Sequence, residues 1–107
     1  MRANPYIKLV HVGFCTTGTA TLDYWGGGQG EVVMDERTVY TESAEFPKEE
    51  AAKHINDAQY GCEAISEARV EVYALYDDDV ITKPVRQYFC TYYFEKNEIP
   101  INSKRGI

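Results

Sequence analysis

Apolar and polar positions alternate in short runs along most of this chain, interrupted once by a stretch with helical spacing. Over residues 6–15, Ile7, Leu9 and His11 fall on one side, and Val10, Val12 and Phe14 on the other. Apolar residues on both sides predict a central strand. Residues 18–25 continue as a threonine-rich strand ending at Tyr24 and Trp25, and Gly26-Gly27-Gly28-Gln29-Gly30 then predicts a turn or loop, since glycine costs backbone entropy inside any element. Residues 31–34 and 38–42 read as two short strands with Asp35-Glu36-Arg37 turning between them.

The period changes after Pro47. Ala51, Ile55 and Ala58 fall on one helical stripe, with Ala52 at its edge and Cys62 in phase. Pro47 suits a first helical turn, Glu49 and Glu50 lie at the positive end of the dipole, and Gly61 is a natural stop. A helix over about 47–60 follows. Over residues 68–76, Val70, Val72, Ala74 and Tyr76 alternate with Arg69, Glu71, Tyr73 and Leu75, and Asp77-Asp78-Asp79 forms a solvated bend. Residues 84–95 predict the last and most aromatic strand. Strict alternation there puts Tyr88, Cys90, Tyr92 and Phe94 on one face, and Val85, Phe89, Thr91 and Tyr93 on the other.

The pattern predicts an α+β fold: an antiparallel sheet of about five to six strands with one principal helix on one face. The first and last strands are apolar or aromatic on both sides. Either the sheet curls into a partial barrel, or an aromatic face stays open for a partner, a second copy of the chain included. The 107 residues contain no composition break or internal repeat, so one domain is expected over 1–107, with a flexible tail from about residue 100. An apolar fraction of 44% is that of a globular protein, and nine tyrosines reinforce the lean toward sheet.

Three cysteines, Cys15, Cys62 and Cys90, are an odd number without CxxC spacing, which predicts reduced thiols rather than a disulfide framework. Ile7–Cys15 is too short for the apolar core of a secretory signal and is interrupted by Lys8 and His11. No run approaches the roughly 18 apolar residues of a spanning helix. A cytoplasmic location, in a host cell, is the expectation.

Charge sharpens the picture because it is unevenly placed. The net charge is −6. Residues 31–50 hold seven acids against Arg37 and Lys48, and residues 63–79 hold six against Arg69, a balance of −5 in each. The two ends of the chain are mildly basic. Should the acidic stretches meet in the fold, the protein presents a strongly negative surface that attracts basic partners and repels nucleic acid.

Candidate chemistry is thin beside this. The glycine run lacks the Lys and Ser/Thr of a phosphate loop and is followed by Glu31, so a hairpin connection accounts for it better. Asp77-Asp78-Asp79 lacks the alternate spacing and terminal Glu of a calcium loop. His54, one helical turn after Glu50, reads as a surface ion pair. His11 and Cys15 share a strand face in simple alternation, yet a structural zinc site needs four ligands and no spacing supplies them. The cysteines sit in apolar stretches or beside Glu63, settings that do not activate a thiol. The expectation is therefore no cofactor, no metal, no catalytic set and no direct nucleic-acid binding.

In general character, a short acidic α+β chain with an aromatic sheet resembles the small inhibitors that phages and other mobile elements make against host nucleases. The resemblance is one of type and covers no alignable segment. It implies a non-enzymatic, cytoplasmic protein whose acidic face occupies the basic channel of a larger, nucleic-acid-binding protein. Glu49, Glu50, Asp77, Asp78 and Asp79 are then the charged candidates for the contact, and Phe89 and Tyr93 the aromatic anchors. A rival reading is a small-ligand or oligomeric module that uses the tyrosine-rich face and the glycine loop. A third is an enzyme built on His11 or His54 with nearby acids.

Overall fold

A computed structural model describes residues 9–57, 64–77 and 84–99. In chain order these form β1 (Val10–Asp23), β2 (Gln29–Tyr40), α1 (Lys48–Asp57), β3 (Ala64–Asp77), β4 (Val85–Glu95) and a single 3₁₀ turn, Lys96–Glu98. The strands make one sheet in the order β2-β1-β3-β4, with each neighbouring pair antiparallel. β2 and β3 therefore run parallel on either side of β1, and parallel strands need a crossover. The helix is that crossover. The class is α+β, as the pattern predicts, and among the described residues there are one α-helix and four long strands rather than the expected five to six.

The difference has a local cause. β1 runs unbroken through Thr16-Thr17-Gly18 because it is paired along both edges, so a continuous ladder outweighs a weak break signal. Asp35-Glu36-Arg37 does not turn. Met34 pairs with Gly18 and Arg37 with Thr16, which leaves Asp35 and Glu36 opposite the single residue Thr17 as a β-bulge. The triplet has no glycine or asparagine for the positive φ of a tight hairpin. The chain reverses instead at Tyr24–Gly28, where Gly26, Gly27 and Gly28 take φ of 85°, 94° and 93°. There the Tyr24 N–H donates to the Gly28 carbonyl.

One sheet face carries the core: Phe14, Ala20 and Leu22 from β1, Met34 from β2, Val70 and Val72 from β3, and Phe94 from β4. On this face lie α1, through Ala51, Ala52 and Ile55, and the preceding loop, through Phe46. The Phe14 ring meets those of Phe46 and Phe89 at 5.0 and 5.1 Å. Tyr92 Oη donates to the Phe46 carbonyl at 2.7 Å, and Lys48 pairs with Glu98 at 2.6 Å. Ala58, Gly61 and Cys62, the remainder of the expected helix and its stop, lie outside the described residues.

Of three further bulges, one opposite Thr21 and Leu22 leaves Ser66 as an extra residue in β3, and two redistribute the candidate side chains. Val72 pairs with Cys90 but Tyr73 with Tyr88, so Phe89 is an extra residue in β4. Phe89 and Cys90 both turn to the helix face, joined by Tyr92 and Phe94, while Tyr88, Thr91 and Tyr93 share the opposite face. Strict alternation had separated Tyr88 from Tyr93 and grouped Phe89 with Thr91. A second bulge, between His11 and Gly13, places His11 on the helix face against Phe14 and Cys15 on the other. These two residues cannot share a zinc ion.

His54 is not a surface residue. It is only 4% exposed, its Nδ1 lies 2.8 Å from Thr16 Oγ1, and its Nε2 lies 2.7 Å from the Asp35 carbonyl. A carbonyl only accepts, so Nε2 carries the proton and, in the neutral ring, Nδ1 accepts from the threonine hydroxyl. The ring ties α1 to the central strand and to the β2 bulge, and Glu50 pairs with Lys53 instead.

Candidate functional site

The sheet face away from α1 has no second layer of described residues, and its side chains follow from strand register. β1 contributes Cys15, Thr17, Thr19 and Thr21, short side chains favoured in strands but too polar to hold an apolar layer. Its neighbours contribute long ones. One row across the sheet reads Glu31, Thr21, Glu67, Glu95, and the next reads Val33, Thr19, Arg69, Tyr93. Farther along come Thr38, Cys15, Tyr73 and Tyr88, then Tyr40, Gly13, Leu75 and Arg86. Short threonines between long flanking side chains form a groove of about 430 Å³, floored by Thr19 and Thr21 and walled by Glu31, Glu67, Tyr93 and Glu95.

The face is exposed and aromatic. Tyr40 is 75% exposed, Val33 73%, Tyr93 67% and Tyr88 60%. Tyr88 and Tyr73 meet edge to face at 5.9 Å, and Tyr88 Oη lies 2.7 Å from Thr91 Oγ1. Large apolar or aromatic side chains clustered on one surface mark an interaction site more often than scattered ones.

Its charge is predominantly negative. Glu36 pairs with Arg86, and Arg69 lies 3.7 Å from Glu71. Glu67 faces Glu95 directly, with Glu31 in the same row. Glu31 and Glu67 have no ion pair among the described residues, and Glu95 caps the 3₁₀ turn. Like charges directly opposite on a sheet destabilise it.

At the other end of the face, a cavity of about 310 Å³ lies over Cys15 and Leu75, with Arg86, Glu36 and Tyr40 around it. Burial pushes the Cys15 thiol above its ordinary pKa, and the hydrogen bond from Arg86 holds the Glu36 carboxyl below the usual carboxylate value. A protonated, buried thiol is a poor nucleophile and a poor metal ligand. Among the described residues no three His, Cys, Asp or Glu side chains gather to hold a metal ion, and no helix is long and apolar enough to cross a membrane.

The structure distributes the sequence-derived candidates over two layers. Tyr93 stands on the open face. Phe89 lies on the helix face against Phe14. Glu49 and Glu50 begin α1, in the layer opposite the open face, and Asp77 is the last residue of β3. Asp78 and Asp79 lie outside the described residues. The acidic stretches do reach one face, through Glu31 and Glu36 on β2 and Glu67 and Glu71 on β3, but β1 runs between them. Sequence reasoning missed Val33, Tyr40, Tyr88 and Glu95 as parts of this surface. Equal parity of Glu31 and Val33, and of Glu67 and Glu71, was the available signal. Glu95 likewise keeps the parity of Tyr93, whereas the β4 bulge erased the signal for Tyr88 and the β2 bulge that for Tyr40. Comparison with family models, curated proteins and solved structures finds no match to the chain.

Proposed function

We infer that the chain is a non-enzymatic protein-binding inhibitor of the kind phages and mobile elements make. Its open sheet face stands in for nucleic acid in the basic channel of a larger protein such as a defence nuclease. The observation that carries this reading is the carboxylate row Glu31, Glu67, Glu95, held on β2, β3 and β4 with no ion pair among the described residues and bordered by Arg69 and the exposed Tyr93. Carboxylates on a rigid sheet supply a fixed negative field that steers a basic partner. Tyr40, Tyr88 and Tyr93 supply aromatic area to bury once it has docked.

The test is capture from an extract of the native host, followed by competition. The expected partner is a basic nucleic-acid-binding protein that DNA displaces, and its affinity falls steeply as salt shortens the Debye length from about 10 Å at 0.1 M to about 3 Å at 1 M. Glu67→Lys with Glu95→Lys should slow association at low salt. Reversal of Glu49 and Glu50 in the helix layer, and of Asp77, Asp78 and Asp79, measures how far the contact extends beyond the sheet face. A partner whose low-salt affinity ignores the Glu67 and Glu95 reversals would sink the reading.

The groove beside Tyr93 supports a second reading, a small-ligand module, with one change: the glycine loop caps the β1–β2 hairpin and does not line the groove. Thermal stabilisation by a small cation, without any captured protein, would favour it.

A further inference from the structure

The two edges of the sheet are built differently. β2, at one edge, carries Glu31, Asp35, Glu36 and Arg37 and a bulge, the devices that keep an exposed edge from pairing with another strand. Among the described residues β4, at the other, pairs with β3 on one side only. From Gln87 to Phe94 it runs eight residues without a charge or a proline, five of them aromatic, and the Phe89 bulge is the one protecting feature among the described residues. A long, uncharged, aromatic edge with unpaired backbone donors and acceptors is a template for another strand.

We propose that β4 pairs antiparallel with β4 of a second copy of this chain, joining two four-stranded sheets into one. The charges that bracket the uncharged run choose both the occupant and the direction. Arg86 stands at one end and Glu95 at the other. Antiparallel apposition about a two-fold axis brings Arg86 of each copy, which within one chain pairs with Glu36, to Glu95 of its mate at both ends, whereas parallel apposition sets like charge against like. The bulge helps: with Phe89 as the extra residue, Tyr88 and Tyr93 lie on the same face. An antiparallel mate therefore sets Tyr88 beside Tyr93 of the other copy.

One strand edge is small beside the roughly 1,600 Å² of a standard stable interface, so the dimer is weak and concentration-dependent. Sedimentation analysis from about 10 µM to about 1 mM should show a reversible monomer–dimer equilibrium. Because the contact strip is uncharged, dimerisation should persist at salt concentrations that abolish binding to a basic partner. The two ideas can thus fail separately. Tyr88→Lys with Tyr93→Lys should weaken dimerisation at least tenfold while leaving the melting temperature of the monomer near that of the unaltered protein. Independently of any variant, amide hydrogen exchange in β4 should slow as concentration rises, while that in β2 stays constant. A protein that remains monomeric at the highest concentration overturns the proposal. So does a dimer whose protection appears on β2, or one that forms unchanged in the double variant without added protection on β4.

Discussion

Thr16 and His54 illustrate how a polar residue becomes part of a core. Thr16 is fully buried on the central strand, beneath the helix, and a hydroxyl there is costly without a partner. His54 supplies one, and its other nitrogen satisfies the Asp35 carbonyl released by the β2 bulge. His54→Ala removes the ring and leaves a buried hydroxyl and a carbonyl without these bonds, a loss of about 2–4 kcal/mol. Thermal unfolding should show a melting temperature lower by roughly 10–20 °C for a domain of this size. A change of a degree or two would mean that the helix docks without this bridge. The sequence alone favoured an exposed histidine paired with Glu50, because helical spacing shows which residues neighbour one another along a helix but not what lies beneath them.

At the level of elements, the controlling features are bulges and close approaches rather than propensities. Gly18 lies on β1 where a Cβ would meet the Arg69 carbonyl oxygen at 2.1 Å and the Met34 methyl at 2.9 Å. The carbonyl belongs to the backbone of β3 and yields only if the strand moves. Gly18→Ala should therefore destabilise by roughly 1–3 kcal/mol despite alanine's smaller entropic cost. Chemical denaturation checks this, and a stabilised alanine variant would show that β1 and β3 can separate locally at little cost. The same tight spot explains why two expected strands fuse: glycine here admits its neighbours closely instead of turning the chain.

At the scale of the molecule, two layers with different tasks emerge. A ten-residue helix is about 15 Å long, against about 46 Å for a fourteen-residue strand, so α1 spans roughly a third of the sheet's length. The opposite face keeps its carboxylate row at a cost in stability, which yields a prediction about trade-off. Glu67→Lys places a base between Glu31 and Glu95 and should raise stability by roughly 0.2–1 kcal/mol, the range for opposite-charge cross-strand pairs. The same substitution should weaken binding to a basic partner. Melting and binding measured on one variant check both halves. If stability falls, the row is not under electrostatic strain and its functional reading loses its main support.

Composition and periodicity determined the α+β class, the single helix beginning after Pro47, the glycine reversal and the alternation of β3. Each depends on neighbours within a few residues, where side-chain period and backbone preference act directly. Tertiary structure decided the rest. Pairing on both edges merged the fragments of β1, and the β2 bulge absorbed a charged triplet that resembled a turn. One extra residue in β4 sent Phe89 to the helix face, against Phe14, and brought Tyr88 to the same face as Tyr93. Because side chains alternate with a period of two, a single bulge reverses the facing of everything beyond it. Such bulges arise from the register with a partner strand, which no local pattern encodes. The acidic surface followed the same logic: charge counts identified the stretches, but only the strand order β2-β1-β3-β4 determined which carboxylates share a face.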